Sequence, residues 1–162
     1  MHLLFLHLMF SIFVEVITHM VIIRNKKATY NYNILEKFTA GIILIGTEVK
    51  SLRALQASIA EAFCSITNNE IHIHGMHISP YKEIKHTQHD VLRIRKLLLN
   101  RKEINKISKS LREKGTTIIP LSVMLTERGL FKIEIGLVRG KKEFEKRDSI
   151  KKKDMERELR NG

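Results

Sequence analysis

From residue 130 to 138 the chain alternates with a period of two. Phe131, Ile133, Ile135 and Leu137 are apolar, and Lys132, Glu134 and Gly136 stand between them. A period of two marks a strand with one face on a core and the other toward water. A second run, residues 117–125, precedes it across Thr126-Glu127-Arg128-Gly129, a turn-forming connection. Residues 62–67 and 71–78 form another such pair around Asn68-Asn69-Glu70, and asparagine tolerates the positive φ of a tight hairpin. Residues 38–45 are apolar around Gly41 and close at Gly46, as a buried strand would. Short antiparallel strands spaced this way predict a closed or nearly closed barrel of the oligonucleotide-binding type, mainly β with flanking helices.

Two stretches carry helical spacing. Residues 47–53 pair Val49 with Leu52 and Lys50 with Arg53, a short helix with a basic side. Residues 91–114 place Ile94, Leu97, Leu98, Ile104, Ile107 and Leu111 at three- and four-residue steps, between His89-Asp90 as N-cap and Gly115 as the residue past the end. The spacing predicts one long helix there. After Arg139 the apolar pattern collapses, and residues 140–162 hold Phe144, Ile150, Met155 and Leu159 amid dense charge. Such a tail cannot order itself alone, although Met155 and Leu159 share a helical face. The expected division is an extension over 1–19, a barrel over 20–139 and a basic tail over 140–162.

Charge narrows the function. Lys and Arg number 29 against 17 Asp and Glu, a net charge of +12. That imbalance favours polyanionic partners, nucleic acid first and an anionic membrane surface second. Residues 1–23 are mostly apolar, but Glu15 interrupts them, and neither a basic leader nor a small-residue cleavage site is present. As a membrane span the segment is marginal. Translation from Met20, with residues 1–19 an upstream addition, accounts for it best, and a genuine apolar N-terminal helix is the alternative. The single cysteine, Cys64, cannot form an internal disulfide, which fits a reducing cytoplasm.

Catalytic and metal chemistry find little support. The chain has eight histidines, yet His72 and His74 share a strand face while His77 has opposite parity, and no Cys pair or HExxH spacing accompanies them. Glu36, Glu48 and Glu61 fall in separate elements, without the partner a catalytic carboxylate requires. No phosphate-binding glycine loop is present, and no cofactor is implied. Three basic clusters remain: Arg24-Asn25-Lys26-Lys27, Lys50 with Arg53, and Arg139-Gly140-Lys141-Lys142. Gly140 lets backbone amides approach a phosphate, and the lysines supply point charge. Aromatics are sparse and tryptophan is absent, so recognition would rest on backbone and shape, as structured RNA requires.

Five segments then agree with one known pattern: Asn25-Lys26-Lys27-Ala28; Ala40-Gly41-Ile42 with the run from Gly46 to Ala54; Gly75 to Tyr81; Arg93 to Leu99; and Gly136 to Lys142. In these the chain resembles the SsrA-binding protein family, also called small protein B, over nearly all of residues 22–160. The resemblance implies an oligonucleotide-binding barrel that grips the tRNA-like domain of tmRNA. With elongation factor Tu, it would carry that RNA into the A site of a stalled 70S ribosome. It implies an RNA-gripping surface of Asn25, Lys26, Lys27, Leu98, Lys132, Arg139 and Gly140, to which charge adds Lys50, Arg53, Lys141 and Lys142. It further implies a tail that folds in the decoding centre and mRNA path. That role would fall to Phe144, Glu145, Lys146 and Arg147, with Lys151, Lys152, Lys153 and Met155 behind them. Glu145 stands where the family carries Asp, and Thr39 where an acidic residue often precedes Ala-Gly. The competing classes are a general structured-RNA or ribosome-associated binder and a membrane-tethered basic protein.

Overall fold

The structure is a computed structural model that describes residues 19–81 and 89–142, together with Glu145, Arg147, Met155, Glu158 and Leu159. Between His19 and Gly140 the described residues form nine strands and three helices, in order: β1 (His19–Arg24), α1 (Lys26–Asn31), β2 (Tyr32–Ile42), α2 (Gly46–Arg53), β3 (Ala57–Ser58), β4 (Phe63–Thr67), β5 (Glu70–His74), β6 (His77–Ile78), β7 (Arg95–Leu98), α3 (Arg101–Ser110), β8 (Thr116–Thr126) and β9 (Phe131–Gly140). The main sheet runs β1-β8-β4-β5-β7-β2-β9, and a further β8–β9 pairing closes it. Six antiparallel strands therefore form a ring, with β1 added along β8. Closure removes most open edges.

The turns obey their local chemistry. Asn68 and Asn69 both adopt positive φ, 52° and 60°, so β4 and β5 join through the two-residue turn that matches strand twist. Gly129, at φ 74°, closes the β8–β9 hairpin. The interior is mainly aliphatic: Ile71, Ile73, Leu97, Ile118, Val123, Ile133 and Ile135 are all buried, joined by Leu52 from α2, by Ile104 and Ile107 from α3, and by Phe38 and Phe131. Each such side chain contributes roughly 1.5–3 kcal/mol by leaving water.

The long helix expected over residues 91–114 is corrected to two elements. Arg95–Leu98 is strand β7, paired with β2 and β5, and only Arg101–Ser110 is helical. The Leu97-Leu98-Leu99 run suits either period, and what selects the strand lies far away. Arg95 points inward and meets Glu48 of α2, a partner that no local window contains. The start of α3 is set instead at Asn100, whose amide donates to the Glu103 carboxylate at 2.8 Å. Gly115 does adopt positive φ, but four residues past the C-cap Leu111. The strand expected at 38–45 begins earlier and ends at Ile42, and the one expected at 71–78 breaks at Gly75, where φ is 67°.

A second, smaller core lies outside the ring. Ala28 of α1 packs with Ile119, Leu121 and Val138, flanked by Tyr32 and Ile34. Bulges make it possible. Register shifts between Ile34 and Glu36 and between Pro120 and Ser122 turn Ile34 and Leu121 outward, while Phe38 and Val123, of the same parity, face the main core. At Gly136 a Cβ would stand 3.0 Å from Leu121 Cδ1, so the bare backbone there admits the leucine. Among the described residues no helix is long and apolar enough to cross a membrane.

Candidate nucleic-acid interface

Asn25 begins the site. Its Oδ1 accepts from the Ala28 amide at 3.2 Å and caps α1, and its Nδ2 donates to Pro120 O at 3.1 Å and Ile59 O at 3.3 Å. The side chain is buried. Asn25 thus anchors α1 to the barrel and holds Lys26 and Lys27 out in solvent. The third cluster arrives beside it through strand register. Tyr32 pairs with Gly140 and Asn33 with Arg139 across β2 and β9, the Lys141 amide donates to Asn31 O at 2.9 Å, and Lys141 Nζ donates to Thr29 O at 2.9 Å. Two basic clusters more than a hundred residues apart in sequence therefore share one end of the barrel. Arg139 also pairs with Glu113 at 3.0 Å, both half-exposed. Around Gly140 nothing would meet an added Cβ within 4 Å, which leaves its backbone open to approach.

Lys132 and Leu98 lie elsewhere. Gly41 pairs with Leu98 on one side and Lys132 on the other, so the three form a row across β7, β2 and β9 on the outer face. A Cβ at Gly41 would come within 3.3 Å of Leu98 Cβ. Leu98 is half-exposed. Eight residues of β9 separate Lys132 from Gly140, about 27 Å at strand rise. Both sit on the outward face of that strand. Arg53 extends toward the β8–β9 turn, with Nη2 3.6 Å from where a Cβ of Gly129 would stand, and Lys50 lies 5.4 Å from the centre of the Tyr81 ring. The predicted surface is thus two basic regions joined by β9. Lys142 is exposed, and its amide donates to Glu145 at 2.7 Å. Of the tail, Arg147 and Met155 are helical and exposed, as is Leu159, while Phe144, Lys146, Lys151, Lys152 and Lys153 lie outside the described residues, as does nearly all of the extension over 1–19.

Sequence reading missed the group that holds α2 in place. Glu48, fully buried, accepts from Arg93 Nε at 3.1 Å, Arg93 Nη2 at 2.7 Å, Arg95 Nε at 2.9 Å and the Ile45 amide at 3.0 Å. Burial pushes this carboxyl up, but the hydrogen bonds from Arg93 and Ile45 and the charge of Arg95 outweigh it and hold Glu48 below its ordinary value. Arg95 is equally buried and directs its remaining donors to Met76 O, Arg93 O and Val91 O. Glu36 and Glu61 are paired as well, with Lys106 and Lys27. Burial pushes the Cys64 thiol up to about 12, which leaves it an inert apolar filler. Among the described residues no cluster of three or more His, Cys, Asp or Glu could hold a metal ion.

A family model described as "SmpB protein" matches residues 22–162. This chain belongs to the SmpB family. Relatives named SsrA-binding protein include one from Cytophaga hutchinsonii, 50% identical over 137 residues, covering 85% of this chain and 90% of the relative. Another, from Geotalea uraniireducens, is 48% identical over 139 residues, covering 86% and 91%. One from Bacillus licheniformis is 45% identical over 139 residues, covering 86% and 88%. Among solved structures, a chain from one described as "tmRNA-SmpB: a journey to the center of the bacterial ribosome" superposes with a TM-score of 0.64 at 39% identity, covering 75% of this chain and 85% of that one. SmpB membership agrees with the sequence resemblance and with a barrel whose basic residues lie outward.

Proposed function

We propose that this chain is a non-catalytic RNA-binding adaptor of trans-translation in the cytoplasm. It binds the tRNA-like domain of tmRNA and delivers it to the A site of a stalled 70S ribosome, with elongation factor Tu joining through the tmRNA complex. The observation that carries this reading is SmpB membership across nearly the whole barrel and tail, with relatives named for SsrA binding and a solved neighbour named for tmRNA. The geometry supports it independently. Lys26, Lys27 and Arg139 to Lys142 meet at one end of a rigid barrel, and Lys132 with Leu98 stands about 27 Å away along β9. A rigid surface with two separated cationic regions reads the outline of a folded RNA better than any single base.

The test is competition. The full chain should bind tmRNA in excess ordinary tRNA, and log affinity should fall with log salt by about 0.7 to 0.9 per phosphate contacted. Equal competition by tRNA would refute the specific reading in favour of a general structured-RNA binder. Removal of residues 145–162 should leave tmRNA affinity within about twofold and abolish tagging of stalled chains. Loss of affinity in that truncation would contradict the division into grip and tail.

A further inference from the structure

One aromatic group on the outer face has no part in the surface described so far. Phe63 of β4 and His74 of β5 are cross-strand partners whose rings stack with centroids 5.0 Å apart and planes 9° from parallel. His74 is itself fixed from behind, because its Nε2 hydrogen-bonds Ser65 Oγ at 2.8 Å. Phe63 is nonetheless 51% exposed. With one face of the ring against His74, that exposure belongs to the opposite face and the rim. A phenylalanine held rigid by a stacked partner and bare on its other side has the geometry of a stacking platform.

Its surroundings indicate what it stacks. The outward neighbours on β4 and β5 are Ser65, Thr67, Glu70 and His72, all polar, where a protein-docking patch would have an apolar rim. Cationic charge stands close by. Glu61, two residues before Phe63, pairs with Lys27 of α1 at 2.6 Å, and Asn25 binds Ile59 O, so the N-terminal end of α1 and the approach to β4 are tied together. Lys26 and Lys27 are therefore placed to hold phosphates while a base reaches Phe63. The Glu61 carboxylate shares this corner. Already paired with Lys27, it would resist a phosphate there.

We infer that Phe63, backed by His74, stacks an unpaired nucleobase of the RNA whose backbone the α1 lysines hold. This rests on the function proposed above and extends it from shape recognition to a specific contact. Stacking and phosphate contacts respond differently to salt. Loss of a stacked base lowers affinity without releasing counterions, whereas loss of a lysine reduces the salt slope.

The chain has no tryptophan, so Phe63→Trp introduces a single reporter ring. In the full-length protein this variant should bind tmRNA with wild-type affinity, and its emission should be quenched at saturation. Phe63→Ala should bind on the order of tenfold more weakly at every salt concentration, with the wild-type salt slope. Phe63→Leu, which keeps the apolar bulk but not the ring, should lose nearly as much, which separates stacking from packing. Unquenched emission from the Phe63→Trp variant together with wild-type affinity of Phe63→Ala would overturn the inference and leave the ring to a protein partner. Failure of the wild-type chain to bind tmRNA in the same titration would overturn the proposed function and this contact with it. A loss confined to the Phe63 variants supports the contact, and a loss in wild type does not depend on Phe63.

Discussion

Replacing Glu48 by Ala removes the carboxylate that pairs with Arg95, whose side chain is 0% exposed. The guanidinium keeps carbonyl partners but loses its hydrogen-bonded counter-charge in a site that water does not reach. Breaking a buried pair this way costs about 3–5 kcal/mol, because the remaining charge stays desolvated. Arg93→Ala leaves the buried Glu48 still paired with Arg95 and the Ile45 amide, and the lost partner is itself 33% exposed, so that change should cost only about 1 kcal/mol. For a domain of this size urea acts with a slope of about 2 kcal/mol per M, so Glu48→Ala should lower the unfolding midpoint by about 2 M and Arg93→Ala by about 0.5 M. Equilibrium urea unfolding followed by far-ultraviolet circular dichroism measures both. The double variant Glu48→Met with Arg95→Met should cost less than the sum of the two single changes, since it removes both charges together. Equal midpoint shifts for Glu48→Ala and Arg93→Ala would refute the claim that burial of Arg95 sets the energy.

The same carboxylate predicts an acid limb. Its folded value lies below the ordinary 4.5, so the unfolded chain binds the proton more readily. The stability Glu48 contributes is complete above pH 4.5 and is lost as pH falls through the lower folded value. The gap between wild type and Glu48→Gln should therefore narrow in acid, and a gap constant down to the acid transition would exclude this source. Lys132→Glu and Gly140→Glu should each weaken tmRNA binding about fivefold or more at ordinary salt while leaving thermal unfolding unchanged, because both sites face outward; unchanged affinity for both would remove them from the interface. Gly136→Ala should cost about 1–2 kcal/mol and lower the melting temperature by about 5 °C, because its Cβ meets the buried Leu121 at 3.0 Å. Gly140→Ala, with nothing near its Cβ, is the matched control, and equal melting temperatures for the two would refute the packing argument.

Elements with local causes were legible in the chain. The alternation around Ile133 and Ile135, the Asn68-Asn69 turn, α2 and the second half of the long apolar stripe all follow from side-chain spacing and backbone preference, which act within a few residues. The residues flanking Gly140 were legible for the same reason, since charge and missing bulk are read one position at a time. What the chain could not show was Arg95 turning inward, because an arginine at that spacing looks like the solvated side of a helix until Glu48, 47 residues away, supplies its counter-charge. Nor could it show the bulges that send Ile34 and Leu121 to a second core beneath α1, because an extra residue in a strand reverses parity without altering composition. Phe63 was overlooked for a related reason: its bare ring face exists only once β5 has placed His74 behind it. Spacing and charge are properties of the chain. Which face of each strand meets water, and which distant charges come to share a site, depend on pairings that form only when the barrel closes.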